Sequence, residues 1–191
     1  DTVKHVEREF WRYFTQRVRQ RLDAKGKKKF FMFGEAFDGN DALVGQFTKN
    51  DPPSADELAV YAKEKDAGPT ITGDQLDSAF YFPQHYQAFR DVMLDAQSTD
   101  RIATLWGNKT TNYGTVAPAL SAGIAPYKAL VNFMDNHDVA RFLYWAAQNK
   151  NDNSPDRQRA LLHNALLLLI TAQGIPCLYY GTEQEFRGGN D

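Results

Sequence analysis

The sequence predicts an α/β protein built on a parallel sheet, and three observations lead there. Four runs, Phe30–Phe33, Leu76–Phe82, Tyr127–Met134 and Ile175–Tyr180, read as strands, the first an unbroken apolar run expected to be buried on both faces and the third buried too. Stretches of helical period separate them, so strand, loop and helix repeat along the chain. Right-handed crossovers then leave an open doubly wound sheet or a (β/α)8 barrel. No Gly-x-Gly-x-x-Gly follows a strand and no Gly-x-x-x-x-Gly-Lys-Ser/Thr occurs, so the nucleotide signatures of the open sheet are missing and the barrel is favoured.

The elements follow in order. Val3, Val6, Phe10, Phe14, Val18 and Leu22 recur at three- or four-residue steps, which predicts an amphipathic helix over Lys4–Ala24 ended by Gly26. Lys27–Lys29 is a solvated turn before the first strand. From Thr48 to Gln75 the composition turns polar, an excursion loop holding a short helix over Ala55–Lys65. Pro83 closes the second strand and His85–Leu94 resumes a helical pattern. Residues 100–125 mix a short helix with turns before the third strand, and a helix is expected from about Val139. Ser154 and Pro155 start a last long helix, which Gly174 and Pro176 stop before the fourth strand.

Composition narrows the function. The chain has 191 residues, 42% hydrophobic and 24% charged, which excludes disorder and disulfide scaffolds. Its 22 basic and 24 acidic residues give a net charge of -2, so no global basic field exists for nucleic acid or an anionic membrane. The most apolar stretch, Ala160–Ala172, is too short to span a bilayer and is interrupted by His163 and Asn164. Cys177, His85 and His163 have no ligand-spaced partners and read as packing positions, so no metal centre is expected of them.

The chemistry sits at strand ends. Glu35 and Asp138 follow strands directly and Asp1 opens the first helix, which in a barrel can converge three carboxylates at the C-terminal face. Two carboxyl groups about 5–5.5 Å apart suit a retaining glycosidase, one as nucleophile and one as proton donor. The plainer alternative is that Glu35 and Asp138 only cap helices.

Four segments decide between these. Asp1-Thr2-Val3-Lys4-His5-Val6, Gly34-Glu35-Ala36-Phe37-Asp38-Gly39, Phe133-Met134-Asp135-Asn136-His137-Asp138 and Gly174–Glu183 resemble, in order, signature segments of the α-amylase family of retaining glycoside hydrolases. The excursion from Thr48 to Gln75 carries no such motif.

The resemblance implies that Asp1 is the nucleophile, Glu35 the general acid and then base, and Asp138 the transition-state stabiliser. It implies substrate contacts at Lys4 and His5 on the leaving-group side, an aromatic platform at Phe37, hydroxyl contacts at His137 and a more distant sugar contact at Asp191. The fold it implies is the C-terminal half of a (β/α)8 TIM barrel, about four strand–helix units and incomplete on its own, since the whole barrel takes about 250 residues. The partners are then an α-glucan and the N-terminal half of the barrel, with calcium as a cofactor whose ligands mostly lie upstream.

The expected activity is hydrolysis of α-1,4-glucosidic bonds in starch-like glucans. The alternatives are α-glucan transglycosylation, a catalytically silent carbohydrate-binding or partner subunit, and an open-sheet α/β protein of another role. Because polymeric starch lies outside most cells, a secreted or periplasmic location is expected.

Overall fold

A computed structural model describes residues 2–62, 71–149 and 153–189. It places the backbone in two compact units, Asp1–Phe80 with Asn108–Leu130 and Tyr81–Gly107 with Val131–Asp191.

In the first unit, strand β1 (Phe33–Gly34) pairs in parallel with β2 (Ser78–Ala79), with Phe33 opposite Ser78 and Gly34 opposite Ala79. Asp77 N and Phe80 N extend the pairing by donating to Met32 O and Gly34 O. A 3-10 turn (Thr2–His5) precedes helix α1 (Arg8–Ala24), so the single helix expected from Lys4 is broken around Val6. Helix α2 (Asp41–Gly45) begins just beyond β1, with Asn40 Oδ1 accepting from Ala42 N and Leu43 N. Helix α3 (Ala55–Tyr61) opens on a capping box between Ser54 and Glu57, inside the predicted excursion. The rest of that helix as expected, to Lys65, lies mostly outside the described residues.

Helix α1 departs from its sequence pattern. The apolar stripe was expected to face the core, yet Phe10 and Phe14 are 38% and 42% exposed while Arg12, Thr15, Gln16 and Arg19 are buried. Hydrogen bonding explains the inversion. Arg12 donates to Glu57 Oε1 at 3.1 Å and to Asp51 O at 2.8 Å. Gln16 Nε2 donates to Thr72 Oγ1, and Arg19 Nη2 to both Gln75 O and Asp77 Oδ2 at 2.8 Å. A buried guanidinium is tolerable only when paired in this way.

In the second unit, β3 (Val131–Asn132) pairs in parallel with β4 (Ile175–Pro176), with Val131 opposite Ile175. The ladders are therefore two residues long, shorter than the runs that predicted them. At the first run the expectation of burial on both faces fails as well: Phe30 and Phe33 are 47% and 46% exposed.

Helix α4 (Phe82–Gln84) continues as a π-helical segment over His85–Leu94, followed by α5 (Asp100–Gly107). Helix α6 (Lys109–Asn112) returns to the first unit. The helix expected from Val139 starts later, as α7 (Phe142–Ala146), because Phe142 N finds its acceptor in Asp135 Oδ2. Helix α8 (Pro155–Thr171) matches its start signal, with Ser154 Oγ accepting from Arg157 N. Phe89, Leu94, Met134, Phe142, Leu143, Leu161, Leu162, Ala165 and Leu169 form the core of this unit.

Candidate active site

Glu35 follows β1 directly, and the chain around it is held tightly. Gly34 has no room for a side chain: a Cβ there would lie 2.5 Å from Val3 Cγ2 and 2.9 Å from Leu76 Cδ1. Val3 N donates to Glu35 O at 3.1 Å, and Trp11 Nε1 donates to Val3 O at 3.0 Å. These bonds fix the 3-10 turn against the Glu35 backbone. Lys4 is thereby carried to the same loop, where Nζ donates to Phe37 O and lies 3.6 Å from Asp38 Oδ2. Glu35 and Phe37 are half-buried and His5 is exposed. Asp1, the expected nucleophile, lies outside the described residues.

In the second unit a loop beyond β3 carries Asp135 to Asp138. Asn136 Oδ1 accepts from Asp138 N at 2.8 Å and Val139 N at 3.0 Å, an Asx turn that fixes the backbone of Asp138. The Asp138 and His137 side chains are exposed, with His137 Nε2 3.2 Å from Asp138 Oδ2. Asp135 is buried instead. Its Oδ2 accepts from Phe142 N and its Oδ1 from Thr182 Oγ1 at 2.8 Å. Burial pushes the Asp135 carboxyl above the usual carboxylate range, against the opposing pull of those bonds and of Arg141.

Asn136, His137, Asp138, Val139, Arg141, Tyr179, Tyr180, Gly188 and Gly189 line a pocket of about 460 Å3. The structure thus gathers Lys4, Glu35 and Phe37 along one loop system of the first unit, and His137 and Asp138 at one pocket of the second. Asp191, the expected distant contact, lies outside the described residues.

Sequence reasoning passed over Asp135, Asn136 and Arg141. The Asn-x-Asp spacing ahead of Asp138 was the readable signal for the turn, whereas Arg141 and Thr182 are linked only through the fold.

Neither unit gathers three carboxylate or histidine side chains around one point by itself, among the described residues. No described helix is long and apolar enough to cross a membrane.

Comparison with known proteins gives the site its context. No family model matches the chain. A β/α-amylase of Paenibacillus polymyxa is 30% identical over 191 residues, which is 100% of this chain and 12% of that protein. An α-amylase structure from Anoxybacillus superposes with a TM-score of 0.67 at 27% identity, covering 100% of this chain and 32% of that one.

The chain is similar over its whole length to glycoside hydrolases of the α-amylase family.

It corresponds to part of the barrel domain of such α-amylases, spanning about an eighth of the first relative and a third of the solved structure. A cyclomaltodextrin glucanotransferase of Bacillus sp. (strain 17-1) is 32% identical over 102 residues, 52% of this chain and 13% of that enzyme.

Proposed function

We propose that this chain supplies the acidic groups for retaining hydrolysis of α-1,4-glucosidic bonds in starch-like glucans. The observation that carries the reading is the alignment of the whole chain with α-amylases, with Glu35 and Asp138 on the loops just beyond β1 and β3.

In this reading the Asp1 carboxylate attacks the anomeric carbon while Glu35 protonates the departing glycosidic oxygen, leaving a covalent glycosyl-enzyme. Glu35, now ionised, then takes a proton from the water that displaces Asp1, restoring both groups. Asp138 stabilises the oxocarbenium-like charge that builds up at each step. His137 and Lys4 hold sugar hydroxyls on either side of the bond, Phe37 offers its ring to the acceptor sugar, and Asp191 binds a sugar further along. Lys4 is suited to this by its tie to Phe37 O, which orients the ammonium along the Glu35 loop.

The remaining part of the barrel is the partner on which activity depends, and calcium is its cofactor, with most of its ligands outside this stretch. The count of four strand–helix units, within one domain over residues 1–191, belongs to the same proposal. So does a secreted or periplasmic location, set by where polymeric starch is found.

Transglycosylation, with a sugar hydroxyl in place of water, is the second reading. It is favoured by the stretch similar to the cyclomaltodextrin glucanotransferase.

The test is cleavage of a blocked chromogenic α-1,4-maltooligosaccharide by the chain, alone and joined to an N-terminal barrel half. Glu35→Gln is run beside it. Cleavage that disappears in Glu35→Gln supports the assignment, and cleavage that survives the substitution overturns it. Disproportionation of the oligosaccharide in excess over hydrolysis would select the second reading.

A further inference from the structure

Arg141 lies three residues beyond Asp138, is only 8% exposed, and is absent from the chemistry proposed above. Its guanidinium is nonetheless spent on the loop that follows β4. Arg141 Nη1 donates to Tyr180 O at 2.7 Å and to Thr182 Oγ1 at 3.1 Å. The same group stands 4.1 Å from the centre of the Tyr179 ring, 4.8 Å from that of Tyr180 and 5.7 Å from that of Phe186. Arg141 N donates to Gly188 O at 3.0 Å, so backbone and side chain tie down both ends of the segment. Thr182 Oγ1 passes the tie to Asp135 Oδ1 at the base of the Asp138 loop. A planar guanidinium can donate in its plane while stacking through its faces, which a lysine ammonium cannot.

The two tyrosines line the same pocket as Asp138. Tyr180 is 68% exposed although its backbone and one ring contact are fixed by Arg141. An exposed aromatic ring held rigidly in a polar pocket is suited to stack on the apolar face of a pyranose ring, at little cost in side-chain ordering.

We infer that Arg141 is a positioning residue, which holds Tyr179 and Tyr180 as an aromatic wall against which a glucose unit beside Asp138 packs. This rests on the α-glucan reading and adds a specificity-determining wall to it. Arg141 touches no reacting atom, so it acts through the tyrosines on how tightly substrate is held rather than on the bond-breaking step.

The experiment is a cycle of Arg141→Met, Tyr180→Ala and the double variant, in whichever form of the protein cleaves the chromogenic maltooligosaccharide. Arg141→Met is expected to raise KM about tenfold with kcat changed less than about threefold, the signature of lost uniform binding. Because Arg141 acts through Tyr180, the double variant should stay near the worse single variant instead of multiplying the two. Amide hydrogen exchange over Gly181–Phe186 should quicken in Arg141→Met, a change that does not depend on activity.

Multiplying KM effects, a kcat-only effect or unchanged exchange would overturn the inference. If the unsubstituted protein neither binds nor cleaves the oligosaccharide, the α-glucan reading fails, and the sugar wall with it. That outcome is distinct from failure of the positioning role, which the exchange measurement still decides.

Discussion

Removing the carboxylate of Asp77 should destabilise the protein more than any other single charge change in the first unit. Asp77 and Arg19 are both about 1% exposed at the side chain, with Asp77 Oδ2 accepting from Arg19 Nη2 at 2.8 Å and from Met32 N at 2.9 Å. Asp77→Asn replaces a buried charge pair by a lone guanidinium whose other bond from Nη2 is to Gln75 O. Arg19 Nε and Nη1 are already buried without hydrogen-bond partners.

Breaking a buried pair from one side costs about 3–5 kcal/mol, because the remaining charge stays desolvated. With a urea slope of about 2 kcal/mol per molar, the midpoint should fall by roughly 1.5–2.5 M. Urea unfolding followed by far-ultraviolet circular dichroism reads this directly. The double variant Arg19→Met with Asp77→Leu should recover most of the loss, since two apolar groups leave no orphaned charge. A midpoint lowered by less than about 0.5 M in Asp77→Asn would refute the reasoning, because the pair would then be solvated rather than buried.

Other consequences concern pH and two turns. Burial, with Arg90 beside it, lowers the pKa of His85 from 6.5 to about 4, against the opposing bond to Met134 O. The unfolded chain therefore binds the extra proton first, so stability present above pH 6.5 is lost as pH falls towards 4, by about 3 kcal/mol in all. Unfolding free energies measured across that window should show the slope, and His85→Gln should flatten it. Gly181 has φ +81° and a Cβ there would lie 2.3 Å from Phe186 Cδ2, so Gly181→Ala should cost about 1–3 kcal/mol in thermal unfolding. Asn40→Ala should cost about 1 kcal/mol and speed exchange of the Ala42 and Leu43 amides, whose acceptor it removes.

The sequence was most readable where local chemistry alone sets the structure. Ser154 and Pro155 announced α8 and the polar excursion contained α3, because caps and breakers act within a few residues. The strand runs fell in the right places, yet each ladder is two residues long, since pairing length depends on neighbours that a run cannot specify. Of the six apolar positions, the four inside α1 gave its period correctly, but the face they marked is not the buried one, since Phe10 and Phe14 are exposed. Arg12, Gln16 and Arg19 are accepted inside only because Asp51, Glu57, Thr72, Gln75 and Asp77 wait at sequence distances of 39 to 60 residues.

The site divides in the same way. The placing of Glu35 and Asp138 on loops beyond strands was legible in the sequence, whereas the Asx turn under Asp138 was passed over although its Asn-x-Asp spacing signals it. The bonds from Arg141 to Tyr180 and Thr182 span about 40 residues and leave no local trace.

The most direct test of the central claim is the configuration of the first product. Proton nuclear magnetic resonance during the first turnovers on an α-1,4-maltooligosaccharide distinguishes α from β reducing ends before mutarotation mixes them. Retaining double displacement at Asp1 and Glu35 predicts that the α-anomer appears first and that Glu35→Gln yields no product. A β-anomer appearing first would contradict the account, because it would require a single displacement by water.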